Sequence, residues 1–351
     1  MRAWTDPGQP VGPAARGRSY TPGPLPTFCR HNRFAENCPI CSRKPRTQPS
    51  SPASTRREKR PGAPAKPKRS STSRGGGTLV VKRMARAADD GFASDLVPGL
   101  RASADAARLA DEIAFSAARL EELEVAPPGL LAEIAGLEDR EEAAWLCFLV
   151  AWLAPTEDDD PWAGIRAARV PWATGELPTA GGVALGERTA FDPKRAEATV
   201  AAYRGWAAKA GGQVAALTGE PSWEPQRRFD RAFERLALPG LHRAARFELL
   251  LLASRLGLVE AEPWSLELRT APADPVAVAA KRIFGIGDVV LLDRRIHELA
   301  AAAGAPVAGL DLALFNWSRQ PDQRVRAGSQ AEPDAGVRER LRAALRLAPA
   351  D

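Results

Sequence analysis

Apolar residues recur at helical spacing along most of the chain after about residue 98. The stretch "SADAARLADEIAFSAARLEELE" places apolar side chains three and four residues apart behind Ser103, which predicts a helix capped by that serine. We find no stretch whose alternation convincingly indicates a half-buried strand. The pattern therefore predicts an all-α domain over residues 95–347. The expected helices are 103–124, 139–154, 160–170, 193–210, 224–237, 240–257, 274–283, 288–303, 308–318 and 335–347.

The segment "DREEAAWLCFLVAWLA" is apolar on nearly every face of its helix. A helix of this kind belongs in the middle of a core. We therefore expect Trp145, Cys147 and Trp152 to be buried. The apolar run is too short to span a bilayer, so no membrane contact is expected. The next segment, "DPWAGIRAARV", predicts a helix with Asp160 as its cap and Pro161 in its first position.

The N-terminal third differs in composition from the helical region. Residues 1–26 are rich in proline and glycine, and we expect them to be disordered. Residues 45–90 have few apolar side chains and are expected to form a disordered, basic, Pro-rich linker. Residues 1–86 carry 19 Lys and Arg against 3 Asp and Glu, a net charge of +16, whereas residues 87–351 carry 30 against 40, a net charge of −10. This asymmetry predicts a basic arm for a polyanion or an anionic surface.

Four potential metal ligands lie close together in "TFCRHNRFAENCPIC". They are Cys29, His31, Cys38 and Cys41, with the two-residue C-P-I-C spacing that is common in structural zinc sites. Four protein ligands would close a tetrahedral Zn²⁺ site, so the expected zinc is structural rather than catalytic. We interpret residues 27–44 as a zinc knuckle that contacts DNA, a protein partner or the helical domain. The alternatives are a chance cluster of free thiols and a redox pair.

A second informative stretch is "VAAKRIFGIGDVVLLDRRIHELA". Gly285 and Gly287 permit a tight turn and close backbone approach between two predicted helices. Backbone N–H groups at such a turn can hold a phosphate, and Lys281 and Arg282 precede it. We interpret the stretch as a hairpin that binds the DNA backbone. An ordinary helix–helix turn with glycines at the bend is the alternative.

Together with "GLDLALFNWS" downstream, this stretch resembles the helix–hairpin–helix DNA glycosylase superfamily. Residues 148–172, 231–258 and 274–288 resemble one branch, the alpha-glutamyl/putrescinyl thymine pyrophosphorylase group, and the likeness covers residues 95–345. The resemblance implies a glycosylase-like helical domain and a downstream aspartate in the base pocket, here Asp311. A simple helix cap is the other interpretation of that residue.

The resemblance also implies a reaction, in which an amine replaces pyrophosphate on an activated hydroxymethyl pyrimidine in DNA. His242 and Arg246, one helical turn apart, are the other candidate catalytic residues. Arg243 lies in the same segment. The alternative, which we favour, is a satisfied histidine and solvated arginines at the border of a helix packing face. The alternative function is a non-catalytic, zinc-containing DNA-binding protein. We find no apolar signal segment and expect a cytoplasmic protein.

Overall fold

The computed structural model describes residues 87–348, and these belong to the unit Leu79–Asp351. Within them the chain forms twelve α-helices and two short 3₁₀ turns, Trp172–Thr174 and Leu268–Thr270, with no β-strand. The all-α prediction is confirmed for this part of the chain. The helices are α1 Ser103–Val125, α2 Leu130–Ala135, α3 Arg140–Leu153, α4 Ala163–Ala168, α5 Ala196–Lys209, α6 Gln213–Thr218, α7 Pro225–Arg235, α8 Arg243–Arg255, α9 Pro275–Phe284, α10 Val289–Ala303, α11 Gly309–Trp317 and α12 Ala335–Ala344.

Helix α3 lies in the middle of the core, as its composition predicts. Every residue from Ala143 to Leu153 is buried, including Cys147 and the two tryptophans of this helix. Asp139 starts the helix by accepting hydrogen bonds from the amides of Glu141 and Glu142. The ring of Phe148 lies between Trp145 and Trp152 at centroid distances of 5.1 and 5.6 Å. Aromatic side chains of this size dominate the apolar area that a core removes from water.

The other helices are arranged mainly through their contacts with α3 and α1. Helix α3 packs against α8 and α6, while the long helix α1 packs against α11, α12 and α8. Helix α9 contacts both α10 and α11. The N-terminal regions of α8, α9 and α11 and the loop before α5 lie close together in this arrangement.

Hydrogen bonds attach the segment before α1 to the helical domain, among them one from Nη1 of Arg295 to the carbonyl of Asp95 at 3.3 Å. The carboxylate of Asp90 accepts hydrogen bonds from the amide and hydroxyl of Ser103. The amide of Gly99 donates to the carbonyl of Ile283, 2.8 Å away, at the end of α9. A Cβ atom at Gly99 would lie 2.0 Å from the Arg282 carbonyl oxygen, so only glycine permits this approach.

Several local predictions are wrong. Ser103 is the first residue of α1 rather than its cap, because its hydroxyl donates to Asp90. The helix expected over 160–170 is reduced to α4, and the Asp160 carboxylate accepts from the Trp162 amide in the preceding turn. The six-residue helices α2 and α6 were not predicted. Helices this short gain their stability from packing and carry little periodic signal of their own.

Among residues 87–348, no helix is both long and apolar enough to cross a membrane.

Candidate functional site

Asp311 lies in the first turn of α11 and is buried, with 2% of its surface exposed. One carboxylate oxygen, Oδ1, lies 2.7 Å from Nη2 of Arg243, and the other contacts Nη2 of Arg188. Burial alone would raise the pKa of Asp311, but the two guanidinium groups outweigh it and hold the pKa below its usual value. The carboxylate is therefore ionised. The interpretation as a helix cap is wrong, because α11 has no side-chain cap and Asp311 is engaged by these arginines.

The two arginines extend the ion pairs in opposite directions. Arg243 is 1% exposed; its Nε lies 3.0 Å from Asp274, and its Nη1 donates to the carbonyl of Leu266. Arg188 lies 3.9 Å from Glu248, which in turn pairs with Arg119 of α1. Residues 119, 188, 243, 248, 274 and 311 thus form a network of three arginines and three carboxylates. Its charges balance, as buried charges require.

A cavity of about 210 Å³ opens beside this network. Arg188 and Asp274 contribute its charged wall next to the network, and Phe315 contributes an aromatic surface, with the Arg188 guanidinium 5.1 Å from the ring centroid. Helices α8 and α9 contribute their N-terminal ends. The remaining lining residues are Glu187, Thr189, His242, Ala244, Pro275 and Val276. The cavity combines apolar walls with a few convergent polar groups, the usual character of a small-molecule site.

His242 lines this cavity and also caps α8. Its Nδ1 accepts from the Ala245 amide at 3.3 Å, and its Nε2 lies 3.2 Å from the Thr189 carbonyl oxygen. A ring that accepts at one nitrogen and donates at the other is neutral imidazole. Burial lowers the pKa of His242, although part of the residue faces solvent. Both nitrogens are engaged by the protein, so use as a general base would break the cap.

Arg246 does not join His242 at the cavity. It is buried, its Nη1 donates to the carbonyl of Phe233, and its guanidinium lies 4.2 Å from the Phe233 ring centroid. The interpretation of Arg243 and Arg246 as solvated arginines is therefore wrong for both. Arg246 packs against Phe233 of α7, and Arg243 forms ion pairs with Asp274 and Asp311.

The predicted DNA-binding residues lie on the α9–α10 hairpin. Lys281 donates to the Pro272 carbonyl, and Arg282 lies in the last turn of α9. Gly285 ends α9 with φ +64°, a left-handed conformation that favours glycine. Gly287 is exposed with a conventional φ, and nothing lies within 4 Å of a Cβ atom placed there. Asp288 then caps α10 by accepting from the Val290 amide. A conformational need for glycine therefore exists at Gly285 and not at Gly287.

The four predicted zinc ligands, Cys29, His31, Cys38 and Cys41, lie outside the described residues, so the zinc site remains a prediction. Within 87–348, no group of three or more His, Cys, Asp or Glu side chains is arranged to hold a metal ion. The disordered segments predicted at 1–26 and over most of 45–90 also lie outside that part.

Sequence reasoning missed Arg188, Asp274, Glu248 and Phe315. Arg188 lies in a loop without a motif, so nothing local marks it. Arg243 and Glu248 did carry a signal, because they interrupt α8, whose other residues are mostly apolar. Charged residues on a helix that must be buried indicate partners elsewhere in the fold.

No protein-family model, curated protein or solved structure matches this chain.

Proposed function

We propose that this chain is a DNA base-modifying enzyme with a glycosylase-like helical domain. The observation that carries the proposal is the position of Asp311. This ionised carboxylate lies on α11, which packs against the hairpin helix α9, and it is paired with Arg188, which lines the cavity. The sequence resemblance implies a hairpin next to a pocket that contains the aspartate. Here Asp311 does not line the cavity but lies behind Arg188, which does.

The hairpin would hold the DNA backbone. Gly285, Gly287 and Asp288 are exposed in the turn, and Lys281 and Arg282 precede it. Exposed turn amides are suited to a phosphate, which positions DNA without reading its sequence. The first amides of α10 are not available for this, because the Asp288 carboxylate accepts from those of Val290 and Leu291. The helical part of the chain is acidic overall, so the basic residues before position 87 would supply most of the long-range attraction to DNA.

The cavity would hold a base that has been extruded from the duplex. Its volume of about 210 Å³ and its Phe315 surface suit a planar ring. In the proposed reaction, an amine nitrogen forms a bond to the exocyclic methylene carbon of the pyrimidine. The bond from that carbon to the pyrophosphate oxygen breaks, its electron pair leaves with pyrophosphate, and the extra amine proton passes to water.

In this proposal, the three predicted catalytic residues have different roles. Asp311 is 2% exposed and acts through Arg188, so we assign it as a positioning residue. Arg188 and His242 line the cavity and would contact a ligand, but both ring nitrogens of His242 already have protein partners, so the proposed polar contact is with Arg188. Arg246 lies against Phe233 and has no direct role in the proposed chemistry.

The test is mass spectrometry of nucleosides from DNA of host cells that carry the gene. We expect a mass-shifted pyrimidine nucleoside with the wild-type chain and with Asp322→Asn, an exposed aspartate that serves as the matched control. Asp311→Asn should abolish it. Ala244→Leu should also abolish it, because the larger side chain fills the cavity while no charged residue is replaced. Identical nucleosides with and without the gene would refute the proposal.

A non-catalytic DNA-binding protein is the second candidate, and one observation favours it. The ionic network is already charge-balanced, and both ring nitrogens of His242 already have partners. Such a protein would bind DNA with an affinity that falls steeply with salt and that survives Asp311→Asn. A product that depends on Asp311 would exclude it.

A further inference from the structure

Arg188 lines two neighbouring cavities. The larger is the 210 Å³ cavity beside the ionic network. The smaller, of about 20 Å³, has room for about one water molecule and is lined by Glu248 and by apolar residues such as Val150 and Ala151. Arg188 and Ala244 line both. The side chain of Arg188 therefore borders both spaces, of which the smaller is the more enclosed.

The guanidinium of Arg188 lies between two buried carboxylates but is held strongly by only one. Its Nη2 pairs with Asp311, whereas Nη1 lies 3.9 Å from Oε2 of Glu248. Nη1 is buried and has no hydrogen-bond partner among the described residues. One end of the group is thus unsatisfied, which lowers the cost of moving it.

The backbone on either side of Arg188 is fixed. The amide of Gly186 donates to the Ala154 carbonyl at 3.0 Å, and the amide of Ala190 donates to the Trp152 carbonyl at 2.8 Å. The hydroxyl of Thr189 donates to the same Trp152 oxygen. Any rearrangement here is therefore one of the Arg188 side chain, with the loop staying in place.

We propose that Arg188 is a side-chain gate. When it swings into the larger cavity, the two cavities join, and the carboxylate of Asp311, which lines neither cavity, becomes accessible beside that of Glu248. When Arg188 moves away, Asp311 keeps only Arg243 and Glu248 keeps only Arg119, so the three carboxylates of the network face two arginines. The buried network then has one negative charge in excess, so the open form needs a cationic ligand that donates hydrogen bonds where the guanidinium was. The ligand class is an amidine or an alkylammonium group. The gate does not depend on the proposed function, but the link to catalysis does, since an amine co-substrate belongs to this class.

Carboxylate labelling tests the gate in the full-length protein without DNA. A water-soluble carbodiimide and an amine nucleophile are added under native conditions, and labelled peptides are quantified by mass spectrometry. The internal control is Glu112, which is 3% exposed and paired with Arg324 at 2.9 Å. We expect Asp311 to be labelled about tenfold faster than Glu112, because local opening is less costly than global unfolding.

Arg188→Met should accelerate labelling of Asp311 further and leave Glu112 unchanged. Methylguanidinium at millimolar concentration should protect Asp311 in that variant, whereas the uncharged methylurea should not. If Asp311 of the wild-type protein is as inert as Glu112, and is labelled only when denaturant unfolds the whole domain, the gate does not exist. The comparison of Asp311 with Glu112 in the wild-type protein tests the gate even if the Arg188→Met variant does not fold. Unchanged host nucleosides would refute the proposed function and leave the gate intact.

Discussion

Asp311 illustrates how a buried charge can stay ionised. Two guanidinium groups, one from the loop before α5 and one from the first turn of α8, engage its two oxygens. Each arginine has a further carboxylate, Asp274 or Glu248, so no charge in the network is without a counter-charge. A network of this kind is costly to break at one point, because the remaining charges stay buried.

We therefore expect Asp311→Asn to lower the free energy of unfolding by about 3–5 kcal/mol. Urea denaturation followed by circular dichroism measures this directly. The matched control, Asp322→Asn at an exposed site, should change it by no more than about 0.5 kcal/mol. Equal stabilities of the two variants would mean that the Asp311 ion pairs contribute nothing net to the fold.

His242 gives a prediction about pH. Its pKa is lowered by burial, so in the folded protein it binds a proton less readily than in the unfolded chain. Its contribution to stability is therefore complete above the unfolded pKa of about 6.5, and it is lost as pH falls below that value. Protonation would also remove the Nδ1 acceptor that caps α8.

The variant His242→Asn keeps a capping side chain and removes the titration. We expect the wild-type protein to lose stability relative to this variant between about pH 7 and pH 5. Urea denaturation across that range gives the free energy of unfolding of each protein as a function of pH. The contributions of the other titrating groups cancel when one curve is subtracted from the other. Parallel curves would show that His242 does not titrate differently in the two states.

At the scale of the elements, the helical pattern was sufficient for ten of the twelve helices in residues 87–348. Their observed ends differ from the predicted ones by a few residues, because caps depend on local hydrogen bonds such as that between Ser103 and Asp90. The two helices that were not predicted, α2 and α6, have six residues each. Periodicity over so few positions does not distinguish a helix from a loop.

The hairpin between α9 and α10 allows a test that separates folding from binding. Gly285 has φ +64°, so Gly285→Ala should cost about 1–2 kcal/mol of stability. Gly287→Ala should cost less than about 0.5 kcal/mol, since its φ is conventional and its Cβ position is open. If the turn binds a phosphate, Gly287→Ala should still weaken DNA binding several-fold. Unchanged affinity, measured by fluorescence anisotropy, would remove the hairpin from the DNA-binding surface.

At the scale of the whole molecule, charge is divided along the chain rather than evenly spread. The first 86 residues carry a net +16 and the remainder a net −10. An acidic domain alone is a poor ligand for DNA, so a DNA-directed function depends on the basic part. In full-length protein, the logarithm of the DNA affinity should therefore fall steeply and linearly with the logarithm of salt concentration.

The zinc prediction also belongs to this scale, since it concerns residues 27–44 alone. We expect one zinc per chain by metal analysis of the purified protein and its loss in Cys38→Ser. The helical domain should keep the same thermal unfolding transition in that variant, because Cys147, in the core of α3, takes no part in the cluster. Unfolding of the whole chain on loss of the metal would show that the zinc site and the helical core are one unit.

The sequence by itself determined the helical class, the buried helix α3, the hairpin turn at Gly285 and the charge division. Each depends on neighbours within a few positions, where periodicity and backbone preferences act. Only the tertiary structure decided the site. Arg188 and Asp311 are 123 residues apart in the chain, and their ion pair exists because α3, α8 and α11 pack as they do. No local pattern marks Arg188, since a loop arginine looks the same whether it ends in water or between two buried carboxylates.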